Sequence, residues 1–293
     1  MSLDGVLQPL HAALRHLPLP GMQDDFMHAV LLGALIVAPM CAALGVQVVT
    51  FRMAFFSDAV AHSAYTGVAL GLLACGAGSS LGATAGMVIV GLAVGLAVAA
   101  LRERTKQTSD TIIGIVFAAA VAIGIVVVKL VSKKNFATVI GNFLIGDAAY
   151  MTSADLAVVA ALALAVYAFQ VLGYNRLLFI GLNPVLARAR GLRTSAWSYA
   201  YAALLALAVT GSIRTVGVLV VGALLVAPAA AARNVARSAG GMFWWAIVFA
   251  AVSAVAGTEL SYVLDSPPVG AAMVLVATAL YGASEAVRAL RRG

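Results

Sequence analysis

Apolar and polar positions alternate along the chain in long blocks. Nine apolar stretches run near 27–49, 58–76, 81–101, 110–130, 154–173, 196–211, 215–231, 243–264 and 268–288, and short segments between them carry most of the charge. A bilayer core about 30 Å thick takes roughly 20 apolar residues per helical crossing. Each stretch therefore predicts a transmembrane helix, with 196–211 and 215–231 the shortest. The expected fold class is all-α: a polytopic membrane protein of about nine transmembrane helices, a re-entrant half-helix and a short cytoplasmic helix.

Three segments fall outside that block pattern. In residues 1–25, Leu3, Leu7, Leu10 and Leu14 recur at helical spacing, with Asp4, Gln8, His11 and Arg15 between them. This reads as an amphipathic helix on the outer membrane face, or as a loosely ordered tail. It does not read as a signal peptide, since basic residues do not lead and Pro18 and Pro20 interrupt it. The transmembrane domain is expected over 26–293. Within 133–153, the run Ala137 to Ile145 is apolar but too short to cross, and predicts a half-helix entering and leaving on one side. In the third segment, Asn183–Pro184 starts a short helix with Pro at its first position, and Gly191 stops it. That helix, over 183–192, offers Leu186 to a partner's groove or lies on the surface alone.

Composition sharpens the reading. The chain is 63% hydrophobic and 10% charged, with a mean hydropathy of +1.05. Soluble domains run near a quarter charged. These values exclude an ordinary soluble enzyme, a disordered regulator and a nucleic-acid-binding domain. The net charge of +7 comes from 18 basic and 11 acidic residues. With nine crossings, thirteen basic residues fall on one side and five on the other (Arg15, Lys129, Lys133, Lys134 and Arg214). The positive-inside rule then puts the N-terminus outside and the C-terminus in the cytoplasm. Gly67 with Gly71, Gly82 with Gly86 and Gly91 with Gly95 are spaced for close helix approach. Cys41 and Cys75 lie in apolar runs without metal-binding spacing.

Charged groups deep in a bilayer are costly, and each is a candidate for function. Asp58 and His62 stand four apart at the start of the second stretch, so they project from one helical face. A carboxylate and an imidazole there suit a divalent transition metal. The alternative is an Asp that caps the helix, with His62 bonded to it. Glu259 lies within the eighth stretch and either faces the ion pathway or bonds a neighbouring hydroxyl. Asp265 reads as a turn residue before Pro267, and Asp147 ends the half-helix with the same two readings as Glu259. No phosphate-binding GxxxxGK[ST] loop, HExxH pair or GxSxG elbow occurs. The chain is thus expected to be no enzyme, with any ATP hydrolysis supplied by another subunit.

FRMAFFSDAVAHSAYTGVALG (Phe51 to Gly71) resembles the signature of permease subunits of zinc/manganese/iron-type ABC importers. DTIIGIVFAAAVAIGIVV (Asp110 to Val127), LNPVLARARGL (Leu182 to Leu192) and TVGVLVVGALLVAPAAAARNVAR (Thr215 to Arg237) are similar to other stretches of that family, in order. The resemblance spans nearly the whole chain from about residue 27. It implies a homodimeric permease in the inner membrane, bound by cytoplasmic ABC ATPase subunits and fed by a periplasmic or extracellular metal-binding protein. No tightly bound cofactor is implied. The cargo would be Zn2+, with Mn2+ or Fe2+ as alternatives, since one imidazole per chain leans toward zinc. Asp58 and His62 would contact the ion, with Glu259 a further candidate for its pathway. Asn183, Pro184, Leu186, Arg188 and Gly191 would form the coupling helix to the ATPase. That segment is richer in Arg, at Arg188 and Arg190, than is usual in relatives. Two rivals stay open: a permease for larger metal chelates, and a proton-coupled secondary transporter using Glu259 and His62.

Overall fold

The computed structural model describes residues 25–76, 79–105, 107–131, 153–264 and 268–291. Every regular element among them is a helix. In chain order these are α1 (Asp25–Thr50), α2 (Phe56–Cys75), α3 (Ser80–Arg104), α4 (Ser109–Val131), α5 (Ser153–Leu182), α6 (Pro184–Ala189), α7 (Thr194–Val216), α8 (Val218–Val235), α9 (Ala239–Val263) and α10 (Val269–Leu290). Eight are long and apolar enough to cross a membrane, so the chain is a polytopic all-α membrane protein. The stretch expected at 58–76 forms α2, a helix of 20 residues, but Asp58, His62 and the hydroxyls of Ser57, Ser63, Tyr65 and Thr66 make it less apolar than those eight. The two shortest predicted crossings become α7 and α8, of 23 and 18 residues. The segment before Asp25, the half-helix over 137–145, Asp147 and Asp265 lie outside the described residues.

The chain divides into two units. The first takes Met1–Val46, Gly146–Leu164 and Arg214–Gly293, and the second takes Gln47–Ile145 and Ala165–Ile213. In the first, α8, α9 and α10 pack against one another. Gly257 of α9 sits so close to α10 that a Cβ there would come 2.5 Å from Met273 Cα. The final turns of α8 and α10 are joined by polar bonds. Arg288 Nη1 donates to Asn234 Oδ1 (3.1 Å), Asn234 Nδ2 to Ser284 Oγ (3.0 Å), and Ser284 Oγ to the Tyr281 carbonyl (2.6 Å). Arg288 also offsets the negative end of the α10 dipole.

In the second unit α2 packs on α3 and α4. The glycine spacings seen in the sequence meet each other here. A Cβ on Gly67 would lie 2.5 Å from the Gly86 carbonyl oxygen, and one on Gly71 would collide with the Gly82 carbonyl. Only the missing side chains let the two backbones touch. Gly91 and Gly95 serve a different helix, lying against Thr210 and Ala206 of α7.

At the far end of α1, the buried side chains of Gln47 and Gln170 exchange two amide bonds, of 3.0 and 2.9 Å. Gln47→Leu removes both and should destabilise the unit by about 1 kcal/mol, as is typical of interhelical bonds in membranes. A thermal-stability assay in detergent would read this as a drop of a few degrees, and an unchanged midpoint would count against it.

Candidate functional site

Asp58 and His62 reach the surface of α2 because the opposite face of that helix is committed to packing. Ser57, Val60, Ala61, Ala64 and Val68 are buried, whereas Asp58 is half-buried and His62 exposed. Asp58 lies in the first helical turn, where its carboxylate meets the positive end of the helix dipole. It does not cap the helix. Phe55 occupies the N-cap position, with no side-chain cap bond.

His62 is not bonded to the Asp58 carboxylate either. Its Nδ1 lies 2.9 Å from the Asp58 backbone carbonyl oxygen. A carbonyl can only accept, so Nδ1 carries the proton and donates. The neutral tautomer then has its lone pair on Nε2, which is the form a metal ligand needs. An imidazole fixed through one nitrogen and open at the other is the usual arrangement of a ligating histidine. The Phe117 ring of α4 stands at 87° to the imidazole, with centroids 5.4 Å apart, and holds it from the side.

The next turn of the same seam is fixed by Thr66, whose Oγ1 donates to the Ala120 carbonyl at 2.7 Å. Gly124, one turn further along α4, leaves room for that hydroxyl; a Cβ there would strike Thr66 Oγ1. Sequence reading missed Phe117, Thr66 and Gly124. The spacing of 117, 120 and 124 against 62 and 66 was present, but any apolar helix offers many such matches.

Among the described residues no group of three or more His, Cys, Asp or Glu side chains is placed to hold a metal ion. Asp58 and His62 stand one turn apart on α2, with no third such side chain beside them among the described residues. Glu259 belongs to the first unit and the Asp58–His62 pair to the second. Both Glu259 carboxylate oxygens are shielded from solvent and lack a hydrogen-bond partner among the described residues. The neighbouring Thr258 hydroxyl bonds the Ala254 carbonyl at 2.7 Å, so it does not satisfy Glu259. His28, near the start of α1, is the fully buried imidazole of the chain's described part.

The expected helix after Leu182 is present as α6. Asn183 Oδ1 accepts from the Leu186 amide at 3.0 Å, capping it, and Pro184 follows at its first position. It closes in a Schellman turn: Leu192 N donates to the Ala187 carbonyl (3.1 Å), Gly191 N to that of Arg188 (2.9 Å), and Gly191 has φ 77°. Ala187 faces inward, whereas Leu182, Val185 and Leu186 are exposed together. Arg188 Nε donates to Thr194 Oγ1 (3.0 Å) and Arg190 lies over the Phe179 ring at 5.6 Å, so both guanidiniums brace this helix against its neighbours.

A second Schellman turn ends α1, directly before α2. Met53 N donates to the Val48 carbonyl (2.9 Å) and Arg52 N to that of Val49 (3.3 Å). The position that Gly191 fills in the other turn is held here by Arg52, with φ 54°, the one non-glycine residue in the left-handed region among the described residues. A side chain there costs roughly 1–2 kcal/mol.

Comparison with known proteins agrees with this architecture. The model of a family described as the ABC 3 transport family matches residues 23–288. The chain belongs to the ABC 3 transport family. Within this family it is 31% identical over 260 residues to the "Manganese transport system membrane protein MntC" of Listeria monocytogenes, covering 89% of this chain and 90% of that one. It is 30% identical over 242 residues to the "High-affinity zinc uptake system membrane protein ZnuB" of Haemophilus influenzae, covering 83% and 90%. The fold matches a solved chain of "PsaBC from Streptococcus pneumoniae in complex with Fab" with a TM-score of 0.74 at 24% identity, over 96% of this chain and 94% of that one.

Proposed function

We propose that this chain is the membrane permease of an ATP-driven importer of a divalent transition metal ion, and that Asp58 and His62 touch the ion as it passes. The observation that carries the reading is the imidazole of His62. Its Nδ1 is tied back to the Asp58 carbonyl and its Nε2 is left open one turn beyond a carboxylate. Relatives named for manganese and for zinc transport support the cargo class. A half-site of two donors fits a homodimer, in which two copies supply two carboxylates and two imidazoles. Such a set holds an ion long enough to replace water, yet can still release it. Glu259, whose carboxylate has no partner within its own chain's described residues, is a further candidate for the ion's route.

Energy comes from a separate ATPase. The exposed apolar side chains of Val185 and Leu186 on α6, with Leu182 at the end of α5, are the docking contact. With α2 as a ninth crossing beside the eight more apolar helices, the basic-residue split favours α6 and the C-terminus in the cytoplasm and the N-terminus outside. An external metal-binding protein delivers the ion. Closure of the ATPase dimer carries α6 with it and reorients the pathway, which requires the ATPase to bind the two permease states unequally.

Elemental analysis of cells lacking the chain tests the cargo. Loss of cellular manganese, zinc or iron names the ion, and unchanged levels of all three refute the proposal. Uptake of a chelate but not the free ion would establish the chelate reading instead. Transport by the lone chain in proteoliposomes under a pH gradient would establish a secondary transporter. Leu186→Glu and Asn183→Ala address docking. The first places a charge on the apolar contact and should lower ATPase co-purification at least about tenfold. The second removes a cap worth about 1 kcal/mol and should lower it less. Undiminished co-purification of Leu186→Glu would remove the docking role.

A further inference from the structure

We infer that Phe51 and Arg102 are positioning residues that link α6 mechanically to the helix bearing Asp58 and His62, an inference that rests on the function proposed above. Phe51 is buried at the start of the turn Phe51–Phe55, only seven residues before Asp58. Three elements close on its ring. Gly181, two residues before Asn183, lies against it; a Cβ there would come 3.0 and 3.1 Å from the Phe51 ring and 2.8 Å from Thr50 Cγ2. Tyr201 of α7, the helix that follows α6, meets it edge-on with centroids 5.6 Å apart. Arg102, in the last turn of α3, stacks its guanidinium over it at 5.1 Å.

The two helices that flank α6 in sequence therefore both bear on Phe51, and Arg188 fastens α6 to the first residue of α7 through Thr194. From Phe51 the contact passes into the turn. Arg102 Nη1 also donates to the sulfur of Met53, which is itself buried, so one cation grips the turn at two points. Between those points stands Arg52 in its left-handed conformation. A strained residue held by surrounding contacts is typical of elements that have two arrangements. A displacement of α6 is thus delivered to a turn that is clamped, strained and continuous with α2.

The experiment uses the permease assembled with its ATPase and binding protein in liposomes. It reads ATP hydrolysis and uptake of Mn2+ and Zn2+ side by side, with binding of the same ions to the detergent-solubilised complex. Arg102→Met and Gly181→Ala should hydrolyse ATP within about twofold of the wild type, bind the ions unchanged, and lose about tenfold in ions moved per ATP. Phe51→Leu should behave alike, whereas Phe51→Tyr, which keeps the ring, should restore the ratio. An unchanged ratio in both Arg102→Met and Gly181→Ala overturns the linkage. So does a parallel fall in ion binding, since the ligands rather than the link would then be damaged. Asp58→Ala separates the two levels. If it transports normally, the proposed ion contact fails; if it is inactive while Arg102→Met keeps its ratio, only the linkage fails.

Discussion

Asp58→Ala and His62→Ala should each lower metal uptake at least about 100-fold while the complex still assembles and hydrolyses ATP. The size of the effect follows from the cost of a bare ion. A divalent cation entering a low-dielectric passage must exchange water for protein donors, and the proposed half-site counts two per chain. Removing either leaves half of the half-site, and the barrier rises by the value of a direct ligand; 100-fold corresponds to about 2.7 kcal/mol. His62→Ala also frees the Asp58 carbonyl, but that carbonyl lies within the helical ladder and folding is spared. His62→Asp offers a finer reading. It replaces a nitrogen donor by oxygen, and softer ions lose more than manganese does. Uptake of Zn2+ should then fall further than uptake of Mn2+. Native transport by the Asp58→Ala, His62→Ala double variant would sink the assignment.

The second large effect concerns folding. Gly86→Ala should destabilise the second unit by about 2–3 kcal/mol, because overpacked positions recover only when a neighbour can move. The atoms facing Gly86 are backbone: the Gly67 carbonyl oxygen, and Gly71 Cα and N at 2.8 and 2.9 Å. None can rotate away. Gly114→Ala, in α4, is the control, since nothing lies within 4 Å of a Cβ there. Thermal aggregation of detergent-solubilised protein measures both. Gly86→Ala should melt several degrees lower and Gly114→Ala should match the wild type or exceed it. Equal midpoints for the two would mean that the seam is looser than its contacts imply.

Much of this could be read from the residues because bilayers reward uninterrupted apolarity. Every long block became a helix, and Asn183, Pro184 and Gly191 bounded α6 as their backbone preferences dictate. The pair Asp58 and His62 stood out by cost, since few charges lie inside the blocks. What stayed hidden was orientation about each helix axis. In a soluble helix polar residues mark the outward face; here lipid and protein interior are both apolar, so Phe117 looked no different from its neighbours. The pairing of Gly67 and Gly71 with Gly82 and Gly86 was likewise beyond reach, although each spacing was visible. The hydrogen bond of His62 removed the alternative in which it bonds the Asp58 side chain, since the partner is a main-chain carbonyl rather than the carboxylate. Main-chain acceptors leave no mark in a sequence.

The touching backbones of α2 and α3 restrict how the permease can work. Two cylinders meshed without intervening side chains have little freedom to slide or pivot separately. Whatever shifts Asp58 and His62 must carry the whole of α3 along, Arg102 included. Gating in this half of the molecule is then the swing of a paired strut, and probes placed on the two helices should keep a constant separation through every stage of the transport cycle.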